Sequence, residues 1–271
     1  MKSLFSIQQI WGLFLFWSLF FAQMGLTPLS PEEYKALPRW IPAEEGVGEF
    51  YQVDWSSYLP SPGSQGSQYS CTAWSTAYAV KSYLEARDQG WTPDQPSHIF
   101  SPAFIYNQIN GGRDLGSTIP NALTLLIEKG CATMATMPYT DKDCLKKPSA
   151  QAFVEASKFK CKSYGTLTEG SSVRLALRQG NLVIISVQTD PVFNSGMYET
   201  FRTIERKRGL QSCSDNSPHS YHAMVVVGYD DARQAFLIIN SWGNRWGQNG
   251  FCWISYDLFK NIGHIGTNLI R

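Results

Sequence analysis

The 271-residue sequence carries little charge and almost no excess of either sign. It has 23 lysines and arginines against 22 aspartates and glutamates, and charged residues make up 17% of the chain. That share lies below the roughly 25% of ordinary soluble domains. Because a chain without a net positive field does not attract nucleic acid by bulk charge, we expect no nucleic-acid partner.

The sequence also lacks the ligand clusters of a metal site. It has four histidines, no Cys-x-x-Cys pair and no compact group able to supply four tetrahedral ligands. No short repeat recurs, which excludes a fibrous chain. What is present is a hydrophobic content of 43% and an aromatic content of 14%, enough for a sizeable core in one large domain or two small ones.

Long hydrophobic runs are confined to the N-terminus. After Lys2, residues 10–22 form a 13-residue apolar run, which is the length of a signal-peptide core. We predict a signal peptide over residues 1–25, cut after Ala22 or Gly25, and a secreted or periplasmic protein. A run left uncleaved would anchor the chain to a membrane, and a buried helix is the plainer alternative.

Export permits disulfides, so the six cysteines would ordinarily form three bridges. If Cys71 is reserved for chemistry, as argued below, at most two bridges remain. Cys144 and Cys161 enclose a polar, lysine-rich loop and are the first expected pair. The sequence leaves open Cys213 with Cys252, or Cys131 with either of these two.

The pattern predicts a helical first half and a strand-rich second half. Helices are predicted at 71–89 with Ser70 as N-cap, from 101 to the glycines at 111–112, at 118–130 and at 172–179. Short β-branched runs predict strands at 182–187, 223–229, 236–240 and 251–256. Residues 26–52 show no sustained period and are interpreted as a short lead-in segment.

Cys71 stands at the start of the first long helix, after the loop Gln65–Ser70. A helix N-terminus offers unsatisfied N–H groups and partial positive charge, which favour a thiolate over a thiol. Cysteine is also a common small core residue, so this position alone does not decide between a nucleophile and packing.

Two residues later in the sequence favour the interpretation of Cys71 as a nucleophile over a packing role. His222 begins one predicted strand and Asn240 ends another, and adjacent strands would bring the two side chains together. An imidazole can take the thiol proton, and an amide oxygen on its other nitrogen fixes the tautomer. The indoles of Trp242 and Trp246 would shield that hydrogen bond from water. His219, three residues before His222, is interpreted as a surface-loop histidine.

Together these motifs resemble the papain family of cysteine peptidases, in which a nucleophilic cysteine near the start of the mature chain is followed far downstream by a histidine and an asparagine. The matching segments run in the family's order through 53–55, 65–75, 101–112, 114–123, 138–139, 222–230 and 240–251. The resemblance implies an α+β, two-lobed fold over residues 53–271. A helical N-terminal lobe would carry the Cys71 helix, and an antiparallel, barrel-like C-terminal lobe would carry His222 and Asn240.

The resemblance also implies roles for individual residues. Cys71 matches the nucleophile, His222 the general base and acid, and Asn240 the residue that orients the imidazole. Gln65 matches the side-chain donor of the oxyanion hole. The expected substrate-binding residues are Gly116, Ser117 and Trp242.

The positions at which the sequence departs from the family pattern are as informative as the positions that match it. Gln68 and Asp114 stand where the family has a disulfide. Thr72 replaces the usual tryptophan after the nucleophile and is expected to open the cleft wall, and Ser117 replaces a glycine. Residues 26–52 are too few for the family's inhibitory prosegment and lack its charged helical pattern, which argues against latency by that route.

The sequence thus predicts a cysteine peptidase that works without metal or organic cofactor. Its expected partners are a protein or peptide substrate and a protein inhibitor, and the expected state is a monomer. Two alternatives remain open: a papain-like binding or scaffold protein without catalysis, and an acyl transferase or amidase that uses the same triad.

Overall fold

The computed structural model describes residues 24–41, 50–167, 170–189, 191–197, 200–201, 220–261 and 266–270. Most of the predicted signal peptide, together with Cys213 and His219, lies outside the described residues. The boundaries proposed at 1–25, 26–52 and 53–271 stay predictions. Within the described ranges, no helix is long and apolar enough to cross a bilayer.

The helices are concentrated in the first half, as predicted. They are α1 (Pro31–Ala36), α2 (Cys71–Ala73), α3 (Ser82–Gln89), α4 (Pro102–Ile109), α5 (Ile119–Glu128), α6 (Ala150–Ala156), α7 (Gly170–Arg178), α8 (Pro191–Ser195) and α9 (Tyr256–Asn261). The strands are β1 (Gln52–Asp54), β2 (Ser163–Leu167), β3 (Val183–Thr189), β4 (Thr200–Phe201), β5 (Ser220–Asp230), β6 (Ala235–Ile239), β7 (Phe251–Ser255) and β8 (Gly266–Ile270).

One long helical run carries Cys71 at its first residue. It passes from α2 through a π-helical stretch, Trp74–Lys81, into α3. The run ends at Gly90, whose φ of +66° is the left-handed conformation that glycine adopts without strain. Ser70 is the N-cap residue, as predicted, but its side chain makes no capping hydrogen bond; its hydroxyl is hydrogen-bonded to the Tyr139 hydroxyl at 2.8 Å instead.

The strands form one curled sheet in the order β2-β8-β3-β5-β6-β7-β4, with β1 added beside β5. The pairs are antiparallel except β4 with β7. Helices in the first half and this sheet in the second make the α+β, two-lobed fold expected from the resemblance. Because β5 and β6 are neighbours, His222 and Asn240 come together as predicted.

The predicted bridge between Cys144 and Cys161 is wrong, since both thiols are free. Cys161 is buried, with its Sγ 3.8 Å from Lys81 Nζ. The loop around Cys144 is instead held against α4 by side-chain amides. Asn110 Nδ2 donates to the Cys144 carbonyl at 2.8 Å, and Asn107 Nδ2 donates to the Lys146 carbonyl at 2.9 Å.

Candidate active site

Cys71 lies where the helical lobe meets the sheet. Its side chain is fully buried, and its Sγ accepts a hydrogen bond from the backbone N–H of Ala223 on β5 at 3.4 Å. Ala223 follows His222 directly, so the contact brings the thiol beside the start of the histidine strand. The helix N-terminus and the sheet thus meet at one sulfur atom.

His222 is oriented by Asn240. The Nε2 of His222 lies 2.7 Å from Oδ1 of Asn240, which also accepts the Ser241 N–H at 2.7 Å. Because that oxygen is an acceptor, it selects the tautomer with the proton on Nε2. Nδ1 is buried and has no partner among the described residues, so its lone pair is available to take a proton.

Trp242 covers the imidazole. Its ring stacks on His222 with centroids 4.4 Å apart and planes 26° from parallel. Trp246 packs edge-on against Trp242 at 5.4 Å. Water is thereby kept from the bond between His222 and Asn240, which strengthens it.

Gln65 is fixed at both ends of its amide group. Oε1 accepts a hydrogen bond from the Ser241 hydroxyl at 2.7 Å. Nε2 donates to the Gln68 carbonyl at 2.9 Å and to the Met24 carbonyl at 3.0 Å. The amide donor that the resemblance assigns to the oxyanion hole is therefore already in contact with a carbonyl oxygen.

That carbonyl belongs to a covering segment, Met24–Thr27, which overlaps the end of the predicted signal peptide and the start of the lead-in segment. A cut after Ala22 leaves this segment in the mature chain, whereas a cut after Gly25 removes Met24 and Gly25. The covering segment follows the edge at Gly116 and Ser117 that is predicted to bind substrate. Ser117 N donates to the Gly25 carbonyl and Thr27 N donates to the Ser117 carbonyl, both at 2.9 Å. Leu26 N donates to the Tyr221 carbonyl at 3.3 Å, and Leu26 pairs with Ser117 as a parallel bridge. The covering segment therefore lies along the predicted substrate-binding edge and contacts Gln65. It is four residues long, and the absence of the family's long prosegment stays a prediction.

Burial shifts the pKa values of both reactive groups in the direction that favours their neutral forms. It raises the pKa of the Cys71 thiol to about 12, although the N–H groups of Ala223, Thr72 and Cys71 itself lower it. Burial also lowers the pKa of His222 to about 4, against the opposing effect of the Asn240 hydrogen bond. The thiolate expected from the helix N-terminus alone is thus not favoured while the site is covered.

The positions of the missing family disulfide are occupied by polar contacts. Asp114 Oδ1 accepts the Tyr69 N–H at 3.0 Å and the Tyr106 hydroxyl at 2.6 Å. The Tyr106 oxygen in turn accepts the Gly116 N–H at 3.1 Å. One carboxylate therefore ties the loop before Cys71 to the edge at Gly116 and Ser117.

Replacing Asp114 by alanine should lower the free energy of unfolding by about 1–3 kcal/mol, because both donors lose a charged acceptor. Thermal denaturation of the purified protein measures this loss. Asp94→Asn, at an exposed position, is the control and should leave the melting temperature unchanged. Equal melting temperatures for Asp114→Ala and the parent would show that the carboxylate does not replace the bridge.

Thr72 does not open the cleft wall as predicted. Its side chain is fully buried, and its hydroxyl lies 2.5 Å from the Ser117 hydroxyl. Three further contacts at the site, made by Ser241, Tyr221 and the covering segment Met24–Thr27, were not predicted from the sequence. Ser241, next to Asn240, contacts the Gln65 amide through its hydroxyl, and Tyr221, next to His222, contacts Leu26 through its carbonyl. The covering segment has no periodic pattern from which its position could have been predicted.

Comparison with known proteins supports the resemblance over most of the chain. A sequence model described as papain family cysteine protease matches residues 51–268. Cysteine proteinase 1 of Entamoeba histolytica is 31% identical over 153 residues, which are 54% of this chain and 42% of that protein. Cathepsin K of Gallus gallus is 24% identical over 245 residues, 84% of this chain and 67% of that protein.

Two solved structures show the same fold. Xylellain, a cysteine protease from Xylella fastidiosa, has a TM-score of 0.74 at 22% identity and covers 92% of this chain and 96% of its own. The bromelain protease of Ananas comosus, solved in complex with the E64 inhibitor, has a TM-score of 0.62 at 18% identity. It covers 82% of this chain and 99% of its own.

Proposed function

The chain belongs to the papain family of cysteine proteases, and we propose that it hydrolyses peptide bonds through a thioester on Cys71. The observation that carries the proposal is the meeting of Cys71 with β5 beside a histidine already oriented by Asn240. The curated Entamoeba relative is longer, and this chain spans 42% of its length. Activity is therefore inferred from this site's own chemistry.

In the proposed reaction, Nδ1 of His222 takes the proton from the Cys71 thiol, and the thiolate attacks the peptide carbonyl. The oxyanion is stabilised by the Gln65 amide and the Cys71 N–H, each typically contributing roughly 10²–10³ in rate. The imidazolium then gives its proton to the leaving amine. Water, deprotonated by His222, hydrolyses the thioester and restores the thiol.

The covering segment, Met24–Thr27, supports this assignment, since its Met24 carbonyl accepts a hydrogen bond from the Gln65 amide. Its backbone bonds to Ser117, a residue proposed to bind substrate. We propose that the covered chain is latent and that displacement of the segment opens the site. The proposed setting is outside the cytoplasm, and the proposed partners are a peptide or protein substrate and a protein inhibitor.

Product analysis with a fluorogenic peptide library tests this function. The uncovered protein should release free carboxylic acids from peptide amides. New amide bonds in the presence of an added amine, or cleavage confined to small non-peptide amides, would instead indicate the transferase or amidase alternative. Tight peptide binding without turnover would indicate a binding protein.

A further inference from the structure

Two departures from the family pattern contact each other directly. Thr72, which stands in place of tryptophan, and Ser117, which stands in place of glycine, are both buried, and their hydroxyl oxygens lie 2.5 Å apart. The sequence separates them by 45 residues. One links to the nucleophile through a single peptide bond, and the other lies on the edge that binds extended peptide.

Ser117 is the residue through which that edge binds a peptide backbone. Its N–H donates to the Gly25 carbonyl and its carbonyl accepts the Thr27 N–H, both in the covering segment Met24–Thr27. Such main-chain bonds, made by adding a strand to an exposed edge, give affinity without side-chain recognition. The place of Ser117 relative to Cys71 therefore sets where a bound carbonyl lies relative to the sulfur.

Thr72 is itself held firmly. Its carbonyl accepts the Thr76 hydroxyl at 2.7 Å within the long helical run. On the other side of Ser117, Gly116 donates to the Tyr106 hydroxyl at 3.1 Å. The peptide-binding edge is thus fixed from two directions, and the tie to Thr72 is the one that reaches the nucleophile's helix.

We propose that Thr72 and Ser117 are a pair of positioning residues that fixes the peptide-binding edge relative to Cys71. The kinetic consequence of this proposal rests on the proposed function. The contact between the Thr72 and Ser117 hydroxyls can be tested without catalysis. The rate of cleavage should therefore depend on the pair for a peptide long enough to hydrogen-bond with Ser117. For a substrate too short to reach Ser117, the rate should not depend on the pair.

The first test needs no catalysis and uses the full chain carrying Cys71→Ala. Thr72→Val removes one hydroxyl and leaves the Ser117 hydroxyl buried without its partner, a costly state. Hydrogen exchange of the Thr27 and Ser117 amides should accelerate roughly tenfold. The matched control is Thr133→Val, which removes a buried hydroxyl bonded to Glu155 at 2.9 Å, and it should leave both amides unchanged.

The second test is kinetic and uses the full chain with Gly25→Ala. A β-carbon at Gly25 would lie 2.2 Å from the Tyr69 carbonyl oxygen, so this substitution is expected to displace the covering segment and expose the site. Thr72→Val should lower kcat/KM for a dipeptidyl coumarylamide roughly tenfold, with at most about a twofold change for a single-residue ester. Ser117→Ala removes the same bond from the other side. Its effect and that of Thr72→Val should not add, because both break one interaction.

Equal losses for both substrates, or unchanged exchange and kinetics in both variants, would overturn the proposal. Its failure is distinguishable from failure of the proposed function. A Gly25→Ala parent whose Ser117 amide exchanges fast, and whose site is therefore uncovered, but which cleaves neither substrate would reject the peptidase assignment. The exchange measurement in the Cys71→Ala chain would still decide the role of the pair.

Discussion

Replacing Cys71 by alanine should abolish peptide hydrolysis, lowering kcat/KM by roughly 10⁴-fold or more. The substitution removes the sulfur that would carry the thioester, and no other described cysteine lies beside His222. Initial rates on a fluorogenic peptide measure the loss. Asn240→Ala should cost less, since it removes orientation of the imidazole and leaves the nucleophile in place.

Cys144→Ala is the matched control, because this cysteine is free and only partly buried. It should retain the parent's rate. The Cys71→Ala protein must also keep the parent's circular dichroism, since a buried side chain is changed. Retention of full peptidase activity by a folded Cys71→Ala protein would reject the proposed mechanism.

Replacing Gly25 by alanine should activate the full chain by at least about tenfold, the change produced by about 1.4 kcal/mol of destabilisation of the covered state. Gly25 adopts φ of +122°, and a β-carbon there would lie 2.2 Å from the Tyr69 carbonyl oxygen. The nearest atoms all belong to the Tyr69 backbone, which cannot rotate away as a side chain could. We therefore expect the covering segment to leave the edge at Ser117. Cleavage of a dipeptidyl coumarylamide measures the gain.

Gly111→Ala separates this effect from ordinary backbone strain. Gly111 also has a positive φ, of +63°, but a β-carbon there meets nothing within 4 Å. It should lower stability slightly without raising activity. The N-terminus of each protein is identified by mass spectrometry, so that cleavage of the segment is not mistaken for its displacement. Identical rates for Gly25→Ala and the parent would show that the segment does not restrain the site.

The sequence predicted the parts of the fold that have strong local signals. The Cys71 helix ends at Gly90 as predicted. Ser101 and Thr118 cap α4 and α5 with their side chains, as their positions before a proline-containing helix start indicated. Short elements such as α6, β1 and β8 were missed, because a few residues without clear alternation carry too little pattern.

The chemically reactive residues of the site could be predicted from the sequence, but the contacts around them could not. Their order in the sequence and the resemblance to the papain family predicted that Cys71, His222 and Asn240 act together, and in the structure Cys71 contacts the residue after His222 while His222 contacts Asn240. The contact between Thr72 and Ser117 was not predictable, since each was recognised only as a separate departure. Coverage by Met24–Thr27 depends on backbone hydrogen bonds, which any residue type except proline can donate.

Cys71 is proposed to be a competent nucleophile whose thiol stays neutral under the covering segment, Met24–Thr27. The most direct test of this claim is the rate of Cys71 labelling by an epoxysuccinyl peptide between pH 4 and 9, in the parent chain and in Gly25→Ala. In the parent, burial raises the thiol pKa to about 12. Its labelling should therefore be slow and should increase only towards alkaline pH, as the thiolate fraction rises.

In Gly25→Ala, returning water removes much of the burial effect, and the helix N-terminus and His222 then favour the thiolate. This protein should label rapidly from about pH 5 upwards, well below the ordinary thiol pKa of about 8.5, with roughly one label per chain on Cys71. The absence of labelling at every pH in folded Gly25→Ala protein would contradict the claim and favour a binding protein without catalysis.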